Sequence, residues 1–183
     1  MTALASGDHD IGPHNGTLRL RTYRQGLAAR AGHDLVLEAA EWRGQVHVPL
    51  DPAAVPAIDV QVDLRRLDVV EGTGGVKPLS AGDKAEIQKA MRKPLRTDDQ
   101  PVATFVSTGI GVDGDAAKVT GELSLAGASH PVELDVRREP DGRILAHTQV
   151  VQSLWGIKPY TGFFGALKLR DAVDVEIEVR LPS

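Results

Sequence analysis

From residue 16 onward the chain alternates apolar and polar residues with a period of two. This is the signature of strands that bury one face and expose the other. In Leu18-Arg19-Leu20-Arg21 the leucines face one way and the arginines the other. The pattern repeats in 58–64, 119–125 and 132–137, and most clearly in 173–181, where Val173, Val175, Ile177, Val179 and Leu181 oppose Asp174, Glu176, Glu178 and Arg180. Asp113-Gly114 and Asp141-Gly142 read as turns between strands, because glycine readily takes positive φ. The segment 126–131 reads as the connection of a hairpin. One stretch, 80–92, has helix formers instead. Ile87, Ala90 and Met91 share a helical face there, Ser80 or Asp83 serves as cap, and Pro94 stops the helix.

About eight strands and one short helix predict an all-β fold, an antiparallel barrel formed by a single domain over 16–183. Residues 1–15, rich in Gly, Asp and His and without periodicity, read as a mobile tail.

Strand parity also bears on chemistry. Asp59, Asp63, Glu122, Glu133, Asp135, Asp174, Glu176 and Glu178 fall on the polar face, which leaves the interior nearly free of ionisable groups. General acid–base catalysis needs such groups inside a pocket. The parity therefore argues against an enzyme, and no catalytic residue is expected. A lumen walled by Leu, Val and Ile either fills itself or holds an apolar ligand, and barrels of about eight strands do both.

The formal charge of −4, without a Lys/Arg run, excludes a nucleic-acid footprint. The chain has no Cys, so disulfides and thiolate chemistry are excluded. No cofactor or metal is expected. His33, His47, His130 and His147 lack ligand spacing, and Asp8, His9, Asp10 and His14 read as a solvated tail. His33-Asp34 is a candidate acid–base pair, against a structural reading in which Asp34 orients His33. Residues 71–77 read as a flexible glycine-rich loop. No stretch has the length of a membrane helix and the first residues lack a signal-peptide pattern, so a cytoplasmic location is expected. An unclosed edge strand would permit a homodimer.

Several motifs succeed one another in an order that resembles the YceI-like family. They are Gly32-His33-Asp34-Leu35, Trp42-Arg43-Gly44, Leu64 and Leu67 before the helix, Asp83 to Met91, and Pro101-Val102-Ala103-Thr104-Phe105. Val119 to Gly127 and Trp155-Gly156-Ile157 complete the series, and the resemblance covers about residues 16–181. It implies a lipocalin-like barrel that binds, transports or stores a long apolar chain. The ligand would be a polyisoprenoid, an isoprenoid quinone or a fatty-acid derivative, with at most transient membrane contact.

Parity and resemblance together place Leu20, Leu37, Trp42, Val62, Leu64, Leu67, Phe105, Leu123 and Leu134 on the tunnel wall. Ile87 and Met91 would close it from the helix. Trp155, Ile157, Tyr160, Phe163 and Phe164 would form its lip, or else a plug of core aromatics. Two other functions stay open: an enzyme acting on a bound lipid through His33, Asp34 or Tyr160, and an interaction module with a filled core.

Overall fold

The computed structural model describes residues 5–51 and 53–181. In chain order its strands and helix are β1 (Gly7–Ile11), β2 (Gly16–Thr22), β3 (Arg24–Gln25), β4 (His33–Ala39), β5 (Trp42–Val48), β6 (Ala57–Asp63), β7 (Leu67–Gly74), α1 (Ala81–Arg92), β8 (Val102–Asp113), β9 (Ala116–Leu125), β10 (Ala128–Arg138), β11 (Arg143–Val151), β12 (Thr161–Gly162), β13 (Leu167–Leu169) and β14 (Ala172–Arg180). Eleven strands form one sheet, ordered β1-β5-β6-β8-β9-β10-β11-β14-β2-β4-β7, and every pairing in it is antiparallel. A small sheet, β12-β13-β3, stands apart.

The expected count of about eight emerges once bent strands are joined. β4 runs into β5 across Ala40-Glu41, and β6 runs into β7 across a 3-10 turn at Leu64–Arg66. The two bends lie side by side, because Ala40 N donates to Arg66 O at 2.8 Å and Asp63 N donates to Glu41 O at 3.0 Å. β1 and β2 bend in the same way around Gly12–Asn15, where Asn15 Oδ1 accepts from Gly12 N. With these continuities the sheet curls into a ring of eight staves: β1–β2, β4–β5, β6–β7, β8, β9, β10, β11 and β14. Closure of this kind leaves few backbone groups unpaired at an edge.

The helix covers the edge that remains on β7. Lys84 Nζ donates to Val70 O at 3.0 Å, and Gln88 Nε2 donates to Leu67 O at 3.1 Å. The helix start uses both candidate caps. Ser80 Oγ accepts from Asp83 N while Asp83 Oδ2 accepts from Ser80 N, a reciprocal capping box. Ile87 and Met91 pack on Leu35, Leu37 and Val69.

Three expectations are corrected. The supposed tail is a strand over Gly7–Ile11, paired with β5 from Gly7↔Val48 to Ile11↔Gly44, with His9 and Ile11 buried. Ile11 is its one buried aliphatic side chain, so backbone pairing dominates and hydropathy gives little sign of it. The first four residues lie outside the described ones. The hairpin connection needs only Ala126 and Gly127, both at positive φ, since Leu125 already faces Ala128. This two-residue geometry matches the twist of the flanking strands. Residues 71–74 extend β7 against β4 and do not form a loop.

Candidate ligand-binding cavity

The inward side chains of the eight staves surround a cavity of about 1150 Å³. Drug-sized sites run to roughly 300–1,000 Å³, so the space exceeds what a compact small molecule requires. Val173, Val175, Ile177 and Val179 of β14 line it, together with Leu181 just beyond the strand. At about 3.3 Å per residue those eight steps cover roughly 26 Å of strand. The cavity therefore runs the length of the barrel.

A plugged barrel would bury its inward residues completely. Here Leu20, Val62, Ile110, Leu123, Val132, Val136, Ile144, Ala146, Val175 and Ile177 point inward yet are only half-buried. Their remaining accessible surface is the wall of the lumen. Other wall residues are buried among their neighbours, Leu37, Val60, Phe105, Val119 and Val179 among them.

Polar groups on the wall are few and mostly engaged elsewhere. Thr148 Oγ1 donates to Glu133 O at 2.7 Å, and Gln152 Nε2 donates to Arg170 O at 3.1 Å. Charged residues border the space only at its margins, with Glu86 and Lys158 exposed in the helix-and-loop region and Asp115 and Arg138 beside the β-turns at the opposite end.

Thirteen of the residues expected from the sequence line the cavity: Leu20, Leu37, Val62, Leu64, Leu67, Ile87, Met91, Phe105, Leu123, Leu134, Ile157, Tyr160 and Phe163. Three do not. Trp42 is buried in the barrel core at the bend between β4 and β5. Trp155 sits in a separate cluster with Ala126, Val150 and Ile157. Its Nε1 donates to Leu123 O at 2.9 Å, and its ring meets His130 edge-on at 5.1 Å. It is therefore a fastener between the loop after β11 and the β9–β10 hairpin. Phe164 projects into solvent.

Inward residues of β11 and β14, such as Ala146 and Ile177, belong to the wall and were absent from the expected set, although the same alternation marks them.

The candidate acid–base pair is not assembled. Consecutive strand residues point to opposite faces. His33 borders the cavity with Nε2 hydrogen-bonded to Lys77 O at 2.8 Å, while Asp34 Oδ1 accepts from Arg24 N at 2.8 Å. The reading in which Asp34 orients His33 is likewise corrected.

A polar cluster anchors the loops at the same end from outside the barrel. Tyr23 Oη donates to Asp174 Oδ2 at 2.8 Å, Gln149 Nε2 donates to Asp174 Oδ1 at 2.9 Å, and the Arg170 guanidinium lies 5.4 Å from the Tyr23 ring centre. The hydrogen bond from Gln149, then that from Tyr23, holds the Asp174 carboxyl below the usual range. The hydrogen bond to Asp174, with burial, pushes the Tyr23 phenol up.

A family model described as the YceI-like domain matches residues 26–181. The chain belongs to the YceI-like family. Two curated YceI proteins, from Shigella flexneri and Escherichia coli O157:H7, are each 42% identical to it over 55 residues. That match spans 29% of this chain and 29% of each relative's length. Among solved structures, Burkholderia cenocepacia BcnA superposes with a TM-score of 0.61 at 15% identity, covering 91% of this chain and 96% of that one. A Campylobacter jejuni YceI protein gives 0.55 at 18% identity, covering 79% and 82%. These likenesses bear on the fold, and they agree that the YceI-like chain is an antiparallel barrel. Among the described residues no helix is long and apolar enough to cross a membrane.

Proposed function

We propose that this protein binds a long-chain apolar ligand inside its barrel and transports or stores it without chemical change. The ligand class is a polyisoprenoid, an isoprenoid quinone or a fatty-acid derivative. The observation that carries this reading is the continuous cavity whose wall is mostly apolar along its length. Membership of the YceI-like family supports it.

The driving force is transfer from water. Each buried methylene contributes about 0.8 kcal/mol, so a chain of about 20 carbons gains roughly 16 kcal/mol before the costs of ordering it. A wall with so few free polar groups rewards length and width in the ligand and gives little discrimination between related chains.

The test is to plug the lumen. Ala146 is a small residue on the wall, between Val136 and Ile177 on the neighbouring strands. Unsubstituted protein should enhance the fluorescence of a polyene fatty acid, and a polyprenyl alcohol should displace that probe. Ala146→Trp should lower probe affinity by about tenfold or more while the protein stays folded, since each 1.4 kcal/mol of lost contact is tenfold. Equal affinity in the plugged variant would contradict the reading.

A further inference from the structure

The rim of the cavity beside β3, β12 and β13 differs from the rest of the surface. Two loops meet there, residues 26–32 and 163–166, joined by Ala28 N donating to Ala166 O at 3.0 Å and by the pairing of β13 with both β3 and β12. They and the adjoining chain expose Leu27, Tyr160, Phe163 and Phe164. Tyr160 and Phe163 border the cavity, as do Ala31 and Gly32, so this apolar patch is the edge of the opening.

The backbone there is strained. Phe163 has φ 48° and Phe164 φ 55°. Bulky residues in the left-handed region cost about 1–3 kcal/mol each and persist where structure over-determines them or function requires them. The Phe164 side chain lies wholly in solvent, so its packing offsets none of that cost.

Charge adds an independent observation. The segments 22–32 and 154–170 carry Arg24, Arg30, Lys158, Lys168 and Arg170 and no Asp or Glu, in a chain whose net charge is −4. Arg24 is engaged with Asp34, at 3.8 Å, and with Gly32 O. Arg30, Lys158, Lys168 and Arg170 are exposed, and among the described residues none of them is in an ion pair. The nearby Asp171 carboxylate is taken up by Ser153 N and Oγ, and Asp174 by Tyr23 and Gln149.

We propose that this rim docks on the surface of an anionic lipid bilayer, inserting Leu27 and Phe164 while the four cations meet lipid phosphates. The inference rests on the reading of the lumen as a lipid container, which it supplies with a route between bilayer and cavity. Exposed apolar groups ringed by Lys and Arg have the chemistry of an interfacial anchor, and each cation near an anionic surface adds about 1 kcal/mol. A second copy of the chain is a poorer occupant, because rim-to-rim contact would bring two sets of unpaired cations together.

Flotation with vesicles tests this, using phosphatidylcholine alone and phosphatidylcholine mixed with phosphatidylglycerol. The protein should float with the mixed vesicles, weakly with the neutral ones, and less as salt rises. Two double variants avoid the cavity wall: Leu27→Ser with Phe164→Gly, and Arg30→Glu with Lys168→Glu. Each should weaken vesicle affinity by about tenfold or more, with unchanged circular dichroism and unchanged uptake of the fluorescent fatty acid in solution. Absence of flotation with the mixed vesicles, or flotation indifferent to both double variants, would overturn the proposal. So would self-association in sedimentation that the same variants abolish. Flotation that behaves as expected without any uptake of the fatty acid would instead sink the container reading and leave the docking surface standing.

Discussion

The two ends of the barrel are built by opposite rules. At one end β8 returns to β9 and β10 to β11 through tight turns, with Gly114 at φ 62° and Gly142 at φ 84°. The charges there cancel: Arg143 reaches Asp141 at 2.8 Å and Glu178 at 3.3 Å, and Arg180 reaches Asp141 at 3.7 Å. At the other end, apart from the two-residue β9–β10 hairpin, the connections are long and carry a helix, a three-stranded sheet, strained aromatics and, among the described residues, cations outside any ion pair. A barrel selected for stability alone gains nothing from the second arrangement. The contrast teaches that the turn end maintains the ring while the loop end carries an elaborated rim around the cavity.

The largest effect expected from disturbing this contrast is at Trp155, which fastens the loop end to the barrel. Trp155→Ala should cost about 3–5 kcal/mol, the usual loss for a buried aromatic. Urea denaturation would measure it, and hydrogen exchange should show the 152–170 loops opening before the strands. A loss below about 1 kcal/mol would mean that the loops hold themselves.

Next comes Asp174, which ties the loop end through Tyr23. Asp174→Ala should cost about 1–3 kcal/mol, the range for hydrogen bonds to a charged group. Its folded-state carboxyl is held below the ordinary value of 3.8, so its contribution is complete above that value and is lost as pH falls through the lower folded one. The Tyr23 phenol is raised above 10.0, so its contribution is complete below that value and is lost as pH rises through the higher folded one. The stability difference between native protein and Asp174→Ala should then shrink as pH falls below about 3.8 and as it rises above about 10.0. A difference unchanged at both extremes would place the effect elsewhere.

The smallest expected effect is at Phe164. With its side chain in solvent and φ at 55°, Phe164→Gly should leave stability unchanged or raise it by up to about 1 kcal/mol, because glycine relieves the left-handed strain. Thermal melting would show it. A drop of more than about 1 kcal/mol would mean that the exposed ring makes a contact essential to the fold.

The barrel was largely legible because alternation is a strong signal: Val173 to Leu181 announces both a strand and its buried face. The helix was legible for a related reason, since Ile87, Ala90 and Met91 share one face and Ser80 with Asp83 has capping chemistry. β1 was not, because edge pairing with β5 is a backbone property and Asp8-His9-Asp10 carries no hydropathy. The wall residues were readable by parity, as Leu20, Leu123 and Leu134 illustrate, but parity does not separate a residue facing a void from one packed on a neighbour. For that reason parity puts Trp42 on the wall although it packs into the core. Trp155 and Phe164 lie in irregular chain, where neighbouring aromatics in sequence, such as Phe163 and Phe164, diverge by a single backbone turn.

The most direct test of the central claim is native mass spectrometry of the protein as purified, followed by organic extraction of whatever it releases. The account predicts an added mass that corresponds to one long-chain apolar molecule per barrel, absent from Ala146→Trp. Protein that carries no such mass and takes none up from a polyprenyl or fatty-acyl mixture would contradict it.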